Sequence, residues 1–175
     1  VVRSIKRLMG RTYDEAHAEG AGKHFSFDQR SQARIVRRTG KDLGVEVTGE
    51  GQTRTFWPPE ICAYILREAK NHIESVLDVP VDGAMVTVPA YFRDPHRGAT
   101  LEAAHLAGLP IVEPLIDEPT AAALAFATNT ELAPGKPILV VDWGGGTLDL
   151  TVLIHDGKAW YQAAIGGDIN LGGDD

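Results

Sequence analysis

The run from Val140 to Leu153, VVDWGGGTLDLTVL, sets two carboxylates, Asp142 and Asp149, on either side of Gly144, Gly145, Gly146 and Thr147. Three consecutive glycines remove every Cβ from a turn, so its backbone can take positive φ and aim N–H groups at an anion lying against it. Thr147 adds a hydroxyl donor. Carboxylates repel a bare phosphate, so their place beside an anion cradle makes sense when a cation stands between them. Mg²⁺ suits that position, because it prefers oxygen ligands, keeps several waters and is held by one or two carboxylates plus substrate phosphates. The implied ligand is a Mg-nucleotide, and the implied chemistry is phosphoryl transfer by positioning and charge neutralisation. The competing reading is a glycine-rich β-hairpin carrying two solvated aspartates.

Other chemistry-bearing patterns are weaker. EGAGKHF, around Gly22 and Lys23, resembles the tail of a Walker A loop but lacks the upstream glycine and has His24 where Ser or Thr would coordinate Mg²⁺. There is no Gly-x-Ser-x-Gly elbow, and the six histidines are scattered without His-Glu-x-x-His spacing. RSQARIVRRTGK clusters Arg30, Arg34, Arg37, Arg38 and Lys41 without an aromatic residue to stack a base. It reads as a solvated strand or hairpin face, and no nucleic-acid partner is expected.

The elements that must position the glycine run follow from the flanking patterns. VEVTGEGQTRTF fits two short strands joined by glycine-containing turns. PPEICAYILREAKNHIESVLD reads as an amphipathic helix, with Pro58 and Pro59 in its first turn and Ile61, Ile65, Ala69, Ile73 and Val76 as its buried face. GAMVTVPAYF is an apolar strand ended by Pro89. A helix over 94–109 follows, with Ala99, Ala103, Ala104 and Ala107 as small packing residues and Gly108 near its end. PIVEPLID is a further strand, EPTAAALAFAT a helix opening at a proline, and GKPILVVDW and LDLTVLIHDGKAWYQAAIGG are strands with tight glycine turns. Strand–helix–strand–helix–strand is the alternation of an α/β fold with crossover helices.

Composition frames these expectations. The 175 residues, 43% of them hydrophobic, can bury the core of one domain or of parts of two. The net charge of −7 argues against binding to a phosphate backbone. A single cysteine, Cys62, excludes an internal disulfide framework and a cysteine-rich zinc site. No apolar stretch approaches the ~20 residues needed to span a bilayer, and a cytoplasmic protein without membrane contact is expected. Val1 opens without methionine inside a charged segment, and the other end stops in LGGDD, so the expectation is a piece of a larger protein.

Five segments in order, SIKRLMGR, VTVPAYFRDPHRGATLEAAHLAGL, DEPTAAALAF, VVDWGGGTLDLTVL and GGDINLGGDD, resemble the nucleotide-binding domain of the 70-kilodalton heat-shock chaperones of the DnaK type. The resemblance covers nearly the whole chain and is weakest across 12–55. It implies an α/β architecture, part of the actin/hexokinase-like (ribonuclease H-like) ATPase fold, with a mixed sheet and crossover helices. Residues 1–57 would be the peripheral upper part of lobe I, 58–131 the core of lobe I, and 132–175 the beginning of lobe II. It further implies ATP or ADP with Mg²⁺ as ligands. Asp142, Gly144, Gly145, Gly146 and Thr147 match the second phosphate loop, Gly172 and Gly173 match further nucleotide-site glycines, and Asp142 and Asp149 match carboxylates on the metal, through water. Lys6 matches a lysine that reaches the γ-phosphate and attacking water, and Glu118 a glutamate near the metal's waters. Pro89 and Arg97 match residues that relay nucleotide state to a peptide-binding domain. Unfolded peptide clients, a J-domain co-chaperone and a nucleotide exchange factor are the partners implied for the parent protein.

Departures from that pattern stand out. Asp117 replaces the usual asparagine before Glu-Pro-Thr, Arg93 and Pro95 alter the segment after PAYF, and Trp143 stands where a smaller apolar residue is usual. The family's first phosphate loop, adenosine-binding residues and peptide-binding domain have no counterpart here, so the chain alone is expected not to be a competent ATPase and to expose apolar surface that could pair two copies. A non-catalytic scaffold of the same fold and a sugar or acetate-type kinase remain the alternatives.

Overall fold

A computed structural model describes residues 4–18, 32–39, 42–49, 51–128, 130, 133–168 and 171–173. After a 3-10 turn, Ile5–Leu8, the elements in chain order are α1 (Tyr13–Ala18), β1 (Gln32–Arg37), β2 (Leu43–Gly49), β3 (Gln52–Phe56), α2 (Pro58–Leu77), β4 (Thr87–Val88), α3 (Asp94–Ala107), β5 (Ile116–Asp117), α4 (Glu118–Ala127), β6 (Pro137–Trp143), β7 (Leu148–His155) and β8 (Trp160–Asp168). They divide into two compact units, Val1–Ala84 with Arg93–Val112, and Met85–Phe92 with Glu113–Asp175.

In the first unit β1, β2 and β3 form an antiparallel meander. The strands expected from VEVTGEGQTRTF are β2 and β3, joined through Gly51 at φ +76. The central strand β2 supplies Leu43 and Val45 to a core completed by Ile5, Leu8 and Ala16, against which Ile61 and Cys62 of α2 pack. Leu8 is fully buried, worth roughly 2 kcal/mol in transfer free energy. The capping box Thr12–Glu15 opens α1: Glu15 Oε2 accepts the Thr12 N–H (2.8 Å) and Thr12 Oγ1 accepts the Glu15 N–H (3.3 Å). At the start of α2 the Trp57 N–H donates to Glu60 Oε2 (2.5 Å), and Pro58 and Pro59 occupy positions that need no N–H donor.

The face that α2 buries differs from the periodicity-based expectation. Ala63 is buried and Leu66 packs on a cluster of Met9, Ala99 and Ala103, whereas Ile65, Ile73 and Val76 are 59%, 47% and 66% exposed. The small side chains Ala99 and Ala103 of α3 admit a close approach of α2 beside Cys62 and Leu66, and the isoleucine stripe is left outward. Gly10, at φ +66, packs against the first turn of α3, where a Cβ would lie 2.5 Å from His96 Cα. Gly108, also at φ +66, closes that helix.

In the second unit β4 and β5 pair in parallel, and β6, β7 and β8 form an antiparallel meander. The apolar runs around Val88 and Ile116 yield strands of only two residues, paired at Thr87–Ile116 and Val88–Asp117. Parallel and antiparallel pairing both occur, but in separate sheets among the described residues rather than in one mixed sheet. The expected order strand, helix, strand, helix, strand is that of β4, α3, β5, α4 and β6. Within this unit α4 packs on β6 and β7.

Candidate functional site

The hydrophobic run 138–141 carries β6 to Trp143, and the glycines turn it into β7. The turn is closed by the Gly144 N–H donating to Thr147 O at 2.9 Å. Register then places Trp143 opposite Leu148 and Asp142 opposite Asp149. Residues two apart on a strand share a face, so Asp149 lies in line with Thr151 and Leu153, both buried, while Trp143 stands on the other face and is 67% exposed.

Gly167 pairs with Asp149 on the opposite side of β7. Its φ of +141 and its position against the Leu148 carbonyl leave no room for a Cβ. Beyond β8 the chain returns to the turn itself. Gly172 is buried against the Gly145–Gly146 peptide, and the Gly173 N–H donates to Gly144 O at 3.0 Å. The structure thus brings Asp142, Asp149, the 144–147 turn, Gly172 and Gly173 together.

Glu118 is the first residue of α4, in the same unit. Asp117, at its N-cap, accepts a hydrogen bond from Gln162 Nε2 of β8 at 2.6 Å. Pro89, buried, follows β4, and its carbonyl accepts the Phe92 N–H (3.0 Å). Lys6 and Arg97 belong to the first unit. Lys6 is exposed on the 3-10 turn, where its carbonyl accepts the Met9 N–H, and Arg97 is half-buried in the first turn of α3.

The donor set has a definite chemical character. Among the described residues no group of three or more His, Cys, Asp or Glu side chains could enclose a metal. A facing pair of carboxylates beside a glycine turn instead fits a hard cation that keeps most of its waters and shares oxygen ligands with a phosphate. Asp142 and Asp149 would hold it on one side, with Thr147 and the turn's backbone toward the phosphate.

Sequence reading missed Gly167 and Gln162. Two glycines inside a strand pattern, AIGGD, signal a close backbone approach, whereas nothing local marks Gln162 as the partner of Asp117. Of the basic cluster, Arg30 and Lys41 lie outside the described residues, as do Gly22 and Lys23. Arg34 pairs with Glu46 (2.7 Å), and Arg37 is bidentate on Asp14 (3.2 and 2.5 Å) with its guanidinium over the Tyr13 ring. No helix among the described residues is long and apolar enough to cross a membrane.

A family model described as Hsp70 protein matches residues 1–175. A protein of Oryza sativa named heat shock 70 kDa protein BIP3 is 43% identical over 175 residues, covering 99% of this chain and 25% of its own length. A heat shock 70 kDa protein of Neurospora crassa is 38% identical over 174 residues, covering 99% of this chain and 26% of its own. The putative heat shock 70 kDa protein 7 of Homo sapiens is 38% identical over 174 residues, 45% of its length. The chain thus spans about a quarter of the length of the first two relatives.

Proposed function

Because this chain belongs to the Hsp70 family, we propose that it supplies part of an ATP-binding module of actin-like fold to a chaperone that hydrolyses ATP as it binds and releases unfolded peptides. The observation that carries this reading is the Asp142–Asp149 pair facing across the hairpin next to the three-glycine turn. In this reading 1–57 and 58–131 build lobe I and 132–175 opens lobe II.

The roles follow from the chemistry of the side chains. Bound Mg²⁺ would neutralise charge developing on the transferred phosphoryl group. Asp142 and Asp149 orient the waters of that ion. The glycine turn and the Thr147 hydroxyl hold the phosphate oxygens, and Gly172 and Gly173 belong to the same site through their contact with the turn. Lys6 supplies a positive charge for the γ-phosphate and attacking water, Glu118 a carboxylate for the water shell, and Pro89 and Arg97 relay nucleotide state to a peptide-binding domain. A J-domain co-chaperone and a nucleotide exchange factor are the partners of such a cycle. In this reading the chain by itself does not turn over, and its outward apolar residues on α2 favour pairing of two copies.

Calorimetric titration of Mg-ADP into this chain and into a protein of its relatives' full length tests the reading. Binding by the long protein that is lost in its Asp142→Asn form supports it. Failure of the long protein to bind nucleotide would favour a scaffold role, and a phosphorylated small molecule formed on incubation with Mg-ATP, with release of ADP, would favour a kinase.

A further inference from the structure

Gly172 and Gly173 look equivalent in LGGDD, yet the structure separates them. Gly172 is buried and its φ lies outside the left-handed range, so an L side chain suits its backbone; space alone forbids one, because a Cβ there would fall on the Gly145–Gly146 peptide. At Gly173 a Cβ would meet, among the described residues, nothing nearer than Gly144 O at 3.9 Å, an ordinary contact, while its N–H donates to that same oxygen at 3.0 Å. Gly167 approaches the other end of the turn, against the Leu148 carbonyl and Asp149 Cα. Gly167, Gly172 and Gly173 thus bring backbone against the turn at Leu148, at the Gly145–Gly146 peptide and at Gly144.

A turn of three glycines left to itself samples both hands of φ, and the entropy of ordering it would be charged against ligand binding. Backbone packed behind it moves that ordering into folding, which is preorganisation. We propose that Leu171–Gly173 is a clasp, with Gly172 and Gly173 acting as positioning residues that fix the direction of the Gly145 and Gly146 amides rather than as ligands of the nucleotide. The clasp's consequence for affinity rests on the nucleotide reading above; the clasp itself does not.

The test is amide hydrogen exchange by NMR without ligand on the unsubstituted chain, on Gly172→Ala and, as the control, on Gly98→Ala in α3, followed by Mg-ADP titration of the same three sequences in a protein of the relatives' full length. In Gly172→Ala, exchange at Gly145, Gly146 and Thr147 rises about tenfold or more and their resonances shift, while Val140 and Thr151 in the β6–β7 ladder are unchanged. Gly98→Ala leaves all of them within about twofold, because it belongs to the other unit. Mg-ADP affinity falls about tenfold in Gly172→Ala only. Unchanged turn amides in Gly172→Ala overturn the proposal, as does equal disturbance by Gly98→Ala. Should Gly172→Ala lose the ladder resonances altogether, the unsubstituted chain is followed in urea below its unfolding midpoint, and loss of protection at the Gly173 amide with none at Gly145 and Gly146 overturns the clasp. Absence of Mg-ADP binding by the full-length protein counts against the nucleotide reading, while the ligand-free exchange still decides the clasp.

Discussion

Asp142 and Asp149 occupy directly opposed positions on β6 and β7, separated from the Gly144–Thr147 turn by the single pair Trp143–Leu148. Like charges so placed are destabilising in a sheet by a few tenths to one kcal/mol, a cost that a cation between them would offset.

Asp142→Asn is therefore expected to raise the stability of the Mg-free chain by about 0.5 kcal/mol and to weaken Mg-ADP binding by about tenfold or more. Thermal unfolding in Mg-free buffer reads the first, and calorimetric titration of Mg-ADP into a protein of the relatives' full length reads the second. A lower melting temperature in Mg-free buffer would show that the opposed pair is not the liability described.

Gly10 and Gly98 should respond to alanine in opposite ways. Gly10→Ala must hold a side chain at φ +66 with its Cβ 2.5 Å from His96 Cα, and is expected to cost roughly 2 kcal/mol or more. Gly98, inside α3 with open space around its Cα, should gain about 0.5–1 kcal/mol from helix propensity. Urea midpoints of the two variants, moving in the same direction, would contradict this account.

Acid should weaken the turn between β7 and β8. Asp156 Oδ1 accepts the Ala159 N–H (2.9 Å) and the Lys158 N–H (2.8 Å), and these bonds hold its carboxyl below the usual aspartate value. Glu15 is lowered in the same way by the Thr12 N–H. A depressed folded-state pKa means stability present above the unfolded value, about 4, and lost as pH falls below it. The stability gap between the parent sequence and Asp156→Ala should thus narrow from pH 7 to pH 3; a gap independent of pH would refute the charge-assisted bonds.

Cys62 titrates in the opposite sense. Burial pushes its thiol up to about 11, so the neutral form is favoured, and its contribution is complete below the unfolded value of about 8.5 and lost as pH rises toward 11. At pH 8 its alkylation by iodoacetamide should run ~100-fold slower than that of an unperturbed thiol. Labelling as fast as glutathione would mean that the Met9–Cys62 contact (3.4 Å) opens readily.

Much of this molecule is legible in its sequence because the interactions responsible are local. Apolar runs along 138–141 and 150–153 with three glycines between them specify a hairpin; proline pairs and alanine spacing specify α2 and α3; and the two carboxylates that flank the glycines fall opposite one another once that hairpin forms. What tertiary structure alone decides is which surfaces meet. The stripe Ile65, Ile73 and Val76 has the periodicity of a buried face, yet Cys62 and Leu66 are what pack on Met9, Ala99 and Ala103 instead. Gly172 and Gly173 are indistinguishable as letters, yet only one lies on the Gly145–Gly146 peptide. Gln162 acquires its meaning from Asp117, 45 residues away. Hydrogen bonds and side-chain periodicity between near neighbours are written into the order of residues, whereas coverage and close approach depend on segments remote in the chain, whose mutual placement is set by the packing of the whole unit.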